Sequence, residues 1–387
     1  MKARPGKSTF PHLDGIRGLA ALAILGYHGV EGNYRSITGW VELGTALRSA
    51  LPFFFFLSAF LLYRPYVAAR LGDAWRPALK TFWWRRILRI VPAYWVALTL
   101  ITLTVGLSGV FGPDGWRYYA FVYVYSHHTV NGGLIPAWTL CVDMTFYLVL
   151  PGFALAMDRL WQRFSVATAI KLEMGVLALI WLLSTLYWFA FVSGASLSLA
   201  SLEMREWTLV ANLNWFALGM ALAVLSATDR HQPSALTRLL SRKHAVEIAW
   251  GAAFLTFLII ARTYYSSGET TRHMLASLLC VLIFAPAALV PRRGRIQQVL
   301  AKPLIAWIGV TSYGIYLYHG PVLNELRSLG LRIGTHGLLT YVSLVAITLP
   351  IVIGLSSASY YLLERPLMRL GRRQRPPAAL PNLAPSA

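Results

Sequence analysis

Apolar runs recur along the whole chain, separated by short polar stretches that carry most of its arginines. A helix needs about 20 apolar residues to cross a hydrocarbon core of about 30 Å. Ten runs are of that order: 12–30, 47–63, 91–111, 137–157, 172–194, 207–227, 244–262, 271–290, 303–325 and 338–363. None alternates with the period of a strand, and backbone groups in lipid must be satisfied within the segment. The pattern therefore predicts an all-α, polytopic integral membrane protein with ten transmembrane helices. A weaker apolar stretch, 117–135, contains His127, His128, Asn131 and two adjacent glycines. It reads as a re-entrant or interfacial segment, tolerable only where protein or water covers its backbone.

Positive charge separates ten spans from eleven, because cytoplasmic loops are rich in Lys and Arg. With the N-terminus inside and ten spans, most of the 35 basic residues fall on the cytoplasmic side. They include Lys2, Arg4, Lys7, Arg17, the run from Arg64 to Arg89, and the tail from Arg365 to Arg375. An eleventh span at 117–135 would reverse every later loop. Both termini are accordingly expected in the cytoplasm.

Composition agrees, with 57% of residues hydrophobic and 13% charged, outside the range of soluble domains. The net charge of +20 would point to nucleic acid in a soluble protein. Here the basic residues sit between apolar runs, so the partner they imply is a lipid bilayer and not nucleic acid. Cys141 and Cys280 have no partner spacing and give no sign of metal or disulfide chemistry. The first 30 residues read as a retained helix, because no small-residue cleavage site follows the apolar stretch. Residues 1–367 are expected to form one membrane domain, and 368–387 a basic, Pro-rich, disordered cytosolic tail.

Ionisable groups at membrane depth are costly and mark function. In DGIRGLAALAILGYHG, residues 14–29, Arg17 and His28 stand eleven positions apart. Eleven steps of 100° return to within about 20°, so the two share a helix face, about 16 Å apart. Asp14, one turn before Arg17, is placed to hold its guanidinium. Arg85, Arg86 and Arg89 recur at helical spacing before the span that Pro92 is expected to start, and suit a multiply phosphorylated ligand. Asp143 lies about two turns into its span, as an arginine partner, a proton acceptor or a polariser of a histidine. Tyr316 and His319 are i, i+3 neighbours. Glu364 and Arg365 close the last helix, where Pro366 is expected to stop it. Each cluster also has a structural reading: headgroup anchoring for the arginines, a register-fixing ion pair for Asp143.

Together and in order, the segments LDGIRGLAALAILGYH, PFFFFLSAFLLYRP, RRILRIVPAYW, AWTLCVDMTFYLVLP, NWFALGMALA, SYGIYLYH and YLLERP resemble the membrane-bound acyltransferase-3 family of sugar O-acyltransferases. LLYRPYVAA is similar to the actinobacterial branch. The resemblance runs from about residue 11 to 367, and is to the membrane core without the hydrolase-like domain that some members carry. It implies transfer of an acyl group, often acetyl, from acyl-CoA to a sugar hydroxyl, with no metal. The expected acceptor is a cell-envelope glycan, a glycolipid or a secreted glycoside, and the expected location the bacterial plasma membrane. By motif position Arg17 and His28 match the family's Arg/His pair, and Arg85 and Arg86 its CoA-phosphate motif. Asp143 stands where Glu is more common, Thr139 where Ser is, and Ala59 and Gly314 where Gly and Ser usually stand.

On this reading the inner arginines bind the CoA phosphates and His28 takes the acceptor's proton. Asp143 sets the tautomer of His28, and Tyr316 or His319 donates to the oxyanion. An acyl-histidine relay fits equally. Two other classes remain: a transporter or flippase with the buried charges along its path, and a structural scaffold.

Overall fold

A computed structural model describes residues 10–30, 39–74, 76–192, 198–266, 268–290, 294–330 and 337–372. Their regular structure is all helical, with no strand among them. Ten long helices follow in order: α1 (Pro11–Val30), α2 (Pro52–Arg70), α3 (Leu79–Val105), α4 (Trp138–Arg163), α5 (Val166–Tyr187), α6 (Leu209–Thr228), α7 (Ala245–Thr263), α8 (Glu269–Leu289), α9 (Pro303–Ser328) and α10 (Leu338–Ser359). Among the described residues, eight helical stretches are long and apolar enough to cross a membrane. α1 and α9 are long but fall outside that set, and they carry Arg17, His28, Tyr316 and His319. Arg85, Arg86, Arg89 and Asp143 lie instead on α3 and α4, which are within that set.

Packing explains how α1 and α9 tolerate their polar residues. α1 lies against α9, and α9 against α10, while α2 packs on α6 and α6 on α5. The apolar window of α6 is 67% buried, and those of α5 and α10 only 22% and 17%. α6 is thus central, and α5 and α10 present apolar faces outward, as lipid-facing helices do. α1 and α9 touch almost backbone to backbone. A Cβ on Gly309 would lie 1.8 Å from the Asp14 carbonyl oxygen, and one on Gly18 would lie 2.7 Å from the Gly309 nitrogen. Small residues at such a crossing let helices approach where lipid supplies no hydrophobic drive between them.

The segment 106–137 is no span. It consists of short turns, Trp116–Tyr119, Tyr123–Tyr125 and Ile135–Ala137, joined by irregular backbone. Its carbonyls are met by tyrosines of the segment and of α3: Tyr94 donates to Tyr118 O (3.1 Å), Tyr118 to Thr129 O (3.1 Å) and Tyr123 to Leu134 O (3.2 Å). Gly133, at φ +65°, lets the chain turn flat against the Tyr118 ring, where a Cβ would lie 2.7 Å from a ring carbon.

Two proline expectations fail. Pro92 does not start its helix but lies inside α3, which begins thirteen residues earlier at Leu79. Pro366 does not stop the last helix. A π-turn over Tyr360–Glu364 leads into Arg365–Arg372, and the helical stretch runs unbroken from Leu338 to Gly371. The wider π-turn relieves the proline's clash with the preceding turn. Residues 368–372 consequently belong to a helix rather than to the expected tail; 373–387 lie outside the described residues.

At the Arg17 end of the bundle a buried ion cluster joins three helices. Arg70 of α2 meets Asp158 of α4 at 2.7 Å and Glu173 of α5 at 2.9 Å. Tyr63 and Trp161 also donate to Glu173, which has no exposed surface.

Candidate active site

The site is built outward from the α1/α9 crossing. Arg17 pairs with Asp14 at 3.0 Å, as its one-turn spacing predicts. Its other contacts come from α9: Nε and Nη2 both donate to Gly309 O (2.9 and 2.6 Å), and Nε to Ser312 Oγ (3.1 Å). The close glycine crossing is what brings that carbonyl within reach. Arg17 lines an open cavity of about 770 Å³ together with Arg86, Arg89, Ser58, Asp143 and Tyr147. Glu364 is within electrostatic reach of both Arg89 and Arg17, and accepts from Ser359 at 3.2 Å.

The three arginines of the basic motif do not act alike. Arg86 and Arg89 face the cavity, whereas Arg85 donates to Gly371 O (3.3 Å) at the end of the C-terminal helix. Asp143 stands beside Ser58, on the cavity wall that it shares with Arg86 and Arg89. Arg86 and Arg89 act on it electrostatically, but among the described residues it forms no ion pair with either.

The same cavity continues to Thr139 and Tyr316, whose hydroxyls are 2.6 Å apart. Beyond them the Tyr316 ring lies 5.8 Å from the His319 ring, and His319 lies 5.1 Å from His28. Tyr27 closes the other side of His28 at 4.8 Å. Arg327, near the end of α9, donates to His28 O (2.6 Å) and Gly29 O (3.2 Å) and so caps the C-terminus of α1.

Hydrogen bonding sets the tautomer of one of these histidines. His319 Nδ1 lies 3.1 Å from the Ile315 carbonyl, which can only accept, so Nδ1 carries the proton. The Nε2 of a neutral His319 is then a lone-pair acceptor, whereas the Tyr316 hydroxyl can donate. His319 Nε2, Asp143 Oδ1 and Arg86 Nε are all buried without a hydrogen-bond partner in the protein. Such groups are rare in folded proteins, and here three of them flank one cavity and its histidine end.

Sequence reasoning passed over Ser58, Ser312 and the role of Thr139. The signal was there in part. Ser312, Tyr316 and His319 stand at i, i+4, i+7, and Thr139 and Asp143 at i, i+4, so each set shares a helix face.

The chain is thus a helical membrane bundle with an arginine-lined cavity that leads toward the buried His319 and the half-buried His28. A family model described as an acyltransferase domain matches residues 10–357, and the chain belongs to that family, the acyltransferase-3 family. It is 25% identical to the peptidoglycan O-acetyltransferase OatA of Listeria monocytogenes over 352 residues, 83% of this chain and 50% of that protein. It is 25% identical to the putative peptidoglycan O-acetyltransferase YrhL of Bacillus subtilis over 391 residues, 94% of this chain and 55% of that protein. It is 27% identical to the exopolysaccharide production protein ExoZ of Rhizobium meliloti over 308 residues, 77% and 84% of the two chains. The chain spans about half the length of the first two relatives. No solved structure matches.

Proposed function

We propose that the chain is a membrane-bound O-acyltransferase of the bacterial plasma membrane. It moves a short acyl group, acetyl in the first instance, from cytosolic acyl-CoA to a sugar hydroxyl of a cell-envelope glycan, glycolipid or secreted glycoside. The observation that carries this reading is one cavity with Arg17, Arg86 and Arg89 at one end and Thr139 and Tyr316 at the other, next to the His319–His28 pair. The similarity to peptidoglycan O-acetyltransferases supports a sugar acceptor.

In this mechanism the CoA phosphates pair with Arg86, Arg89 and Arg17, and Asp143 and Glu364 hold those guanidiniums in place. Both termini and the arginine end face the cytosol. The pantetheine arm runs up the cavity and brings the thioester to Tyr316. His28 takes the proton of the acceptor hydroxyl as its oxygen attacks the thioester carbonyl, and the imidazolium returns it to the departing CoA thiolate. One O–C bond forms, one C–S bond breaks, and the products are ester and CoA thiol. The Tyr316 hydroxyl donates to the tetrahedral oxyanion while Thr139 donates to the Tyr316 oxygen. His319, its Nδ1 proton held by Ile315, keeps the His28 ring in place.

The test is labelled acetyl-CoA turnover by purified protein in proteoliposomes, with envelope glycan fragments as acceptor. His28→Ala is expected to lose about a hundredfold or more in rate. Acyl-CoA consumption by His28→Ala at the wild-type rate would rule out His28 as the base.

A further inference from the structure

A second cavity, of about 550 Å³, lies at the same end of the bundle as His28 but outside the site described above. Its walls come from helix ends and their flanking turns: Arg48 before α2, Trp138 of α4, Trp188 after α5, Glu206 before α6, Tyr264 after α7, and Glu269 and Arg272 of α8. In chain order these all match the His28 end of α1.

The chemistry of the walls is unusual for a membrane bundle. Arg48 pairs with Glu206 at 2.6 Å, and Arg272 pairs with Glu269. His273 sits between Trp188 and Trp215, with ring centroids 4.0 Å from each. Asn214 Oδ1 accepts from the Trp215 backbone, so its amide donates to His273 Nε2 (2.6 Å), and the imidazole is a neutral Nδ1–H tautomer. Two arginines, two glutamates and a neutral histidine sum to zero charge. The cavity therefore offers many paired donors and acceptors beside aromatic faces, without a field that favours an anion or a cation. That combination suits a neutral polyhydroxylated ring, with its C–H face on the aromatics and its hydroxyls on the guanidinium and carboxylate edges.

The cavity also adjoins the reacting groups. Trp138 precedes Thr139, the hydrogen-bond partner of Tyr316. Tyr27, whose ring lies 4.8 Å from that of His28, is within electrostatic range of Arg48. We infer that this cavity is a docking subsite for a neutral saccharide unit of the acceptor glycan, next to the unit that is acylated. The inference rests on the proposed transfer to a sugar, and it adds where the rest of the acceptor is held.

The test measures binding apart from catalysis. The intact His28→Ala protein in nanodiscs is titrated by saturation-transfer NMR with a β-1,4-linked N-acetylglucosamine tetrasaccharide, its glucose counterpart, and glucose 6-phosphate. At least one neutral tetrasaccharide is expected to bind, and to bind more tightly than the sugar phosphate. Adding Tyr264→Ala or Glu269→Gln to His28→Ala should weaken that binding about tenfold. Glu269→Gln keeps the shape of a half-exposed residue, so it serves if Tyr264→Ala fails to fold. Preference for the phosphate, equal binding by the folded pocket variants, or no neutral binding overturns the inference. Neutral binding of this pattern by an enzyme that shows no acyl transfer keeps the subsite and removes the proposed activity instead.

Discussion

Gly309→Ala puts one methyl group into the tightest contact of the bundle. The added Cβ would stand 1.8 Å from the Asp14 carbonyl oxygen, and ordinary contact begins at 3.4 Å. The neighbouring atom is helix backbone, which has no rotamer to change, so α1 and α9 must part by about 1.6 Å there. The two bonds from Arg17 to Gly309 O, now 2.9 and 2.6 Å, would then be stretched beyond hydrogen-bonding range unless the side chain follows. Overpacking of this kind costs about 1–3 kcal/mol, which leaves a large membrane bundle folded. Misplacing a catalytic geometry by about 1 Å costs on the order of a hundredfold in rate. Thermal unfolding in detergent should therefore shift modestly while acetyl transfer falls about a hundredfold. Gly251→Ala, where a Cβ meets nothing within 4 Å, is the control and should leave both unchanged. A folded Gly309→Ala protein with wild-type turnover would refute the claim that this crossing positions the site.

Three further outcomes are expected. Tyr316→Phe should lower kcat about a hundredfold or more with donor KM unchanged, and Thr139→Val should lower it less; a full kcat in Tyr316→Phe removes the oxyanion assignment. Arg86→Gln with Arg89→Gln should raise KM for acetyl-CoA about tenfold or more but leave acetyl-pantetheine, which lacks the phosphates, unaffected; equal losses on both donors contradict phosphate binding. Arg70→Met strands the buried Glu173, while Asp158 keeps its pair with Arg76, and should cost about 3–5 kcal/mol, read as a lower unfolding temperature, whereas no shift would mean that the cluster does not hold α2, α4 and α5 together.

The long helices were legible because a membrane leaves the backbone few options, and run length carries that information directly. Helix ends were less so. Pro92 and Pro366 read as boundaries by their local chemistry, yet both lie within helical stretches, since a bundle can absorb the lost hydrogen bond or route it through a π-turn. Within the site, contacts along one helix could be read from spacing, as the Asp14–Arg17 pair shows. Contacts between helices could not. Thr139 meets Tyr316 across 177 positions, and Arg17 meets Gly309 across 292, and only packing decides such pairs. The paired charges around Arg48 and Arg272 were hidden for another reason: singly, each reads as an ordinary charge at a helix end.

Separation of donor and acceptor along one cavity predicts transfer across a sealed membrane. Proteoliposomes with the arginine end outward, carrying an acetyl-accepting glycan sealed inside, would be given labelled acetyl-CoA outside only. Label should appear on the sealed glycan with the wild-type protein and not with His28→Ala. Label that reaches glycan only when both substrates share one compartment would contradict the arrangement.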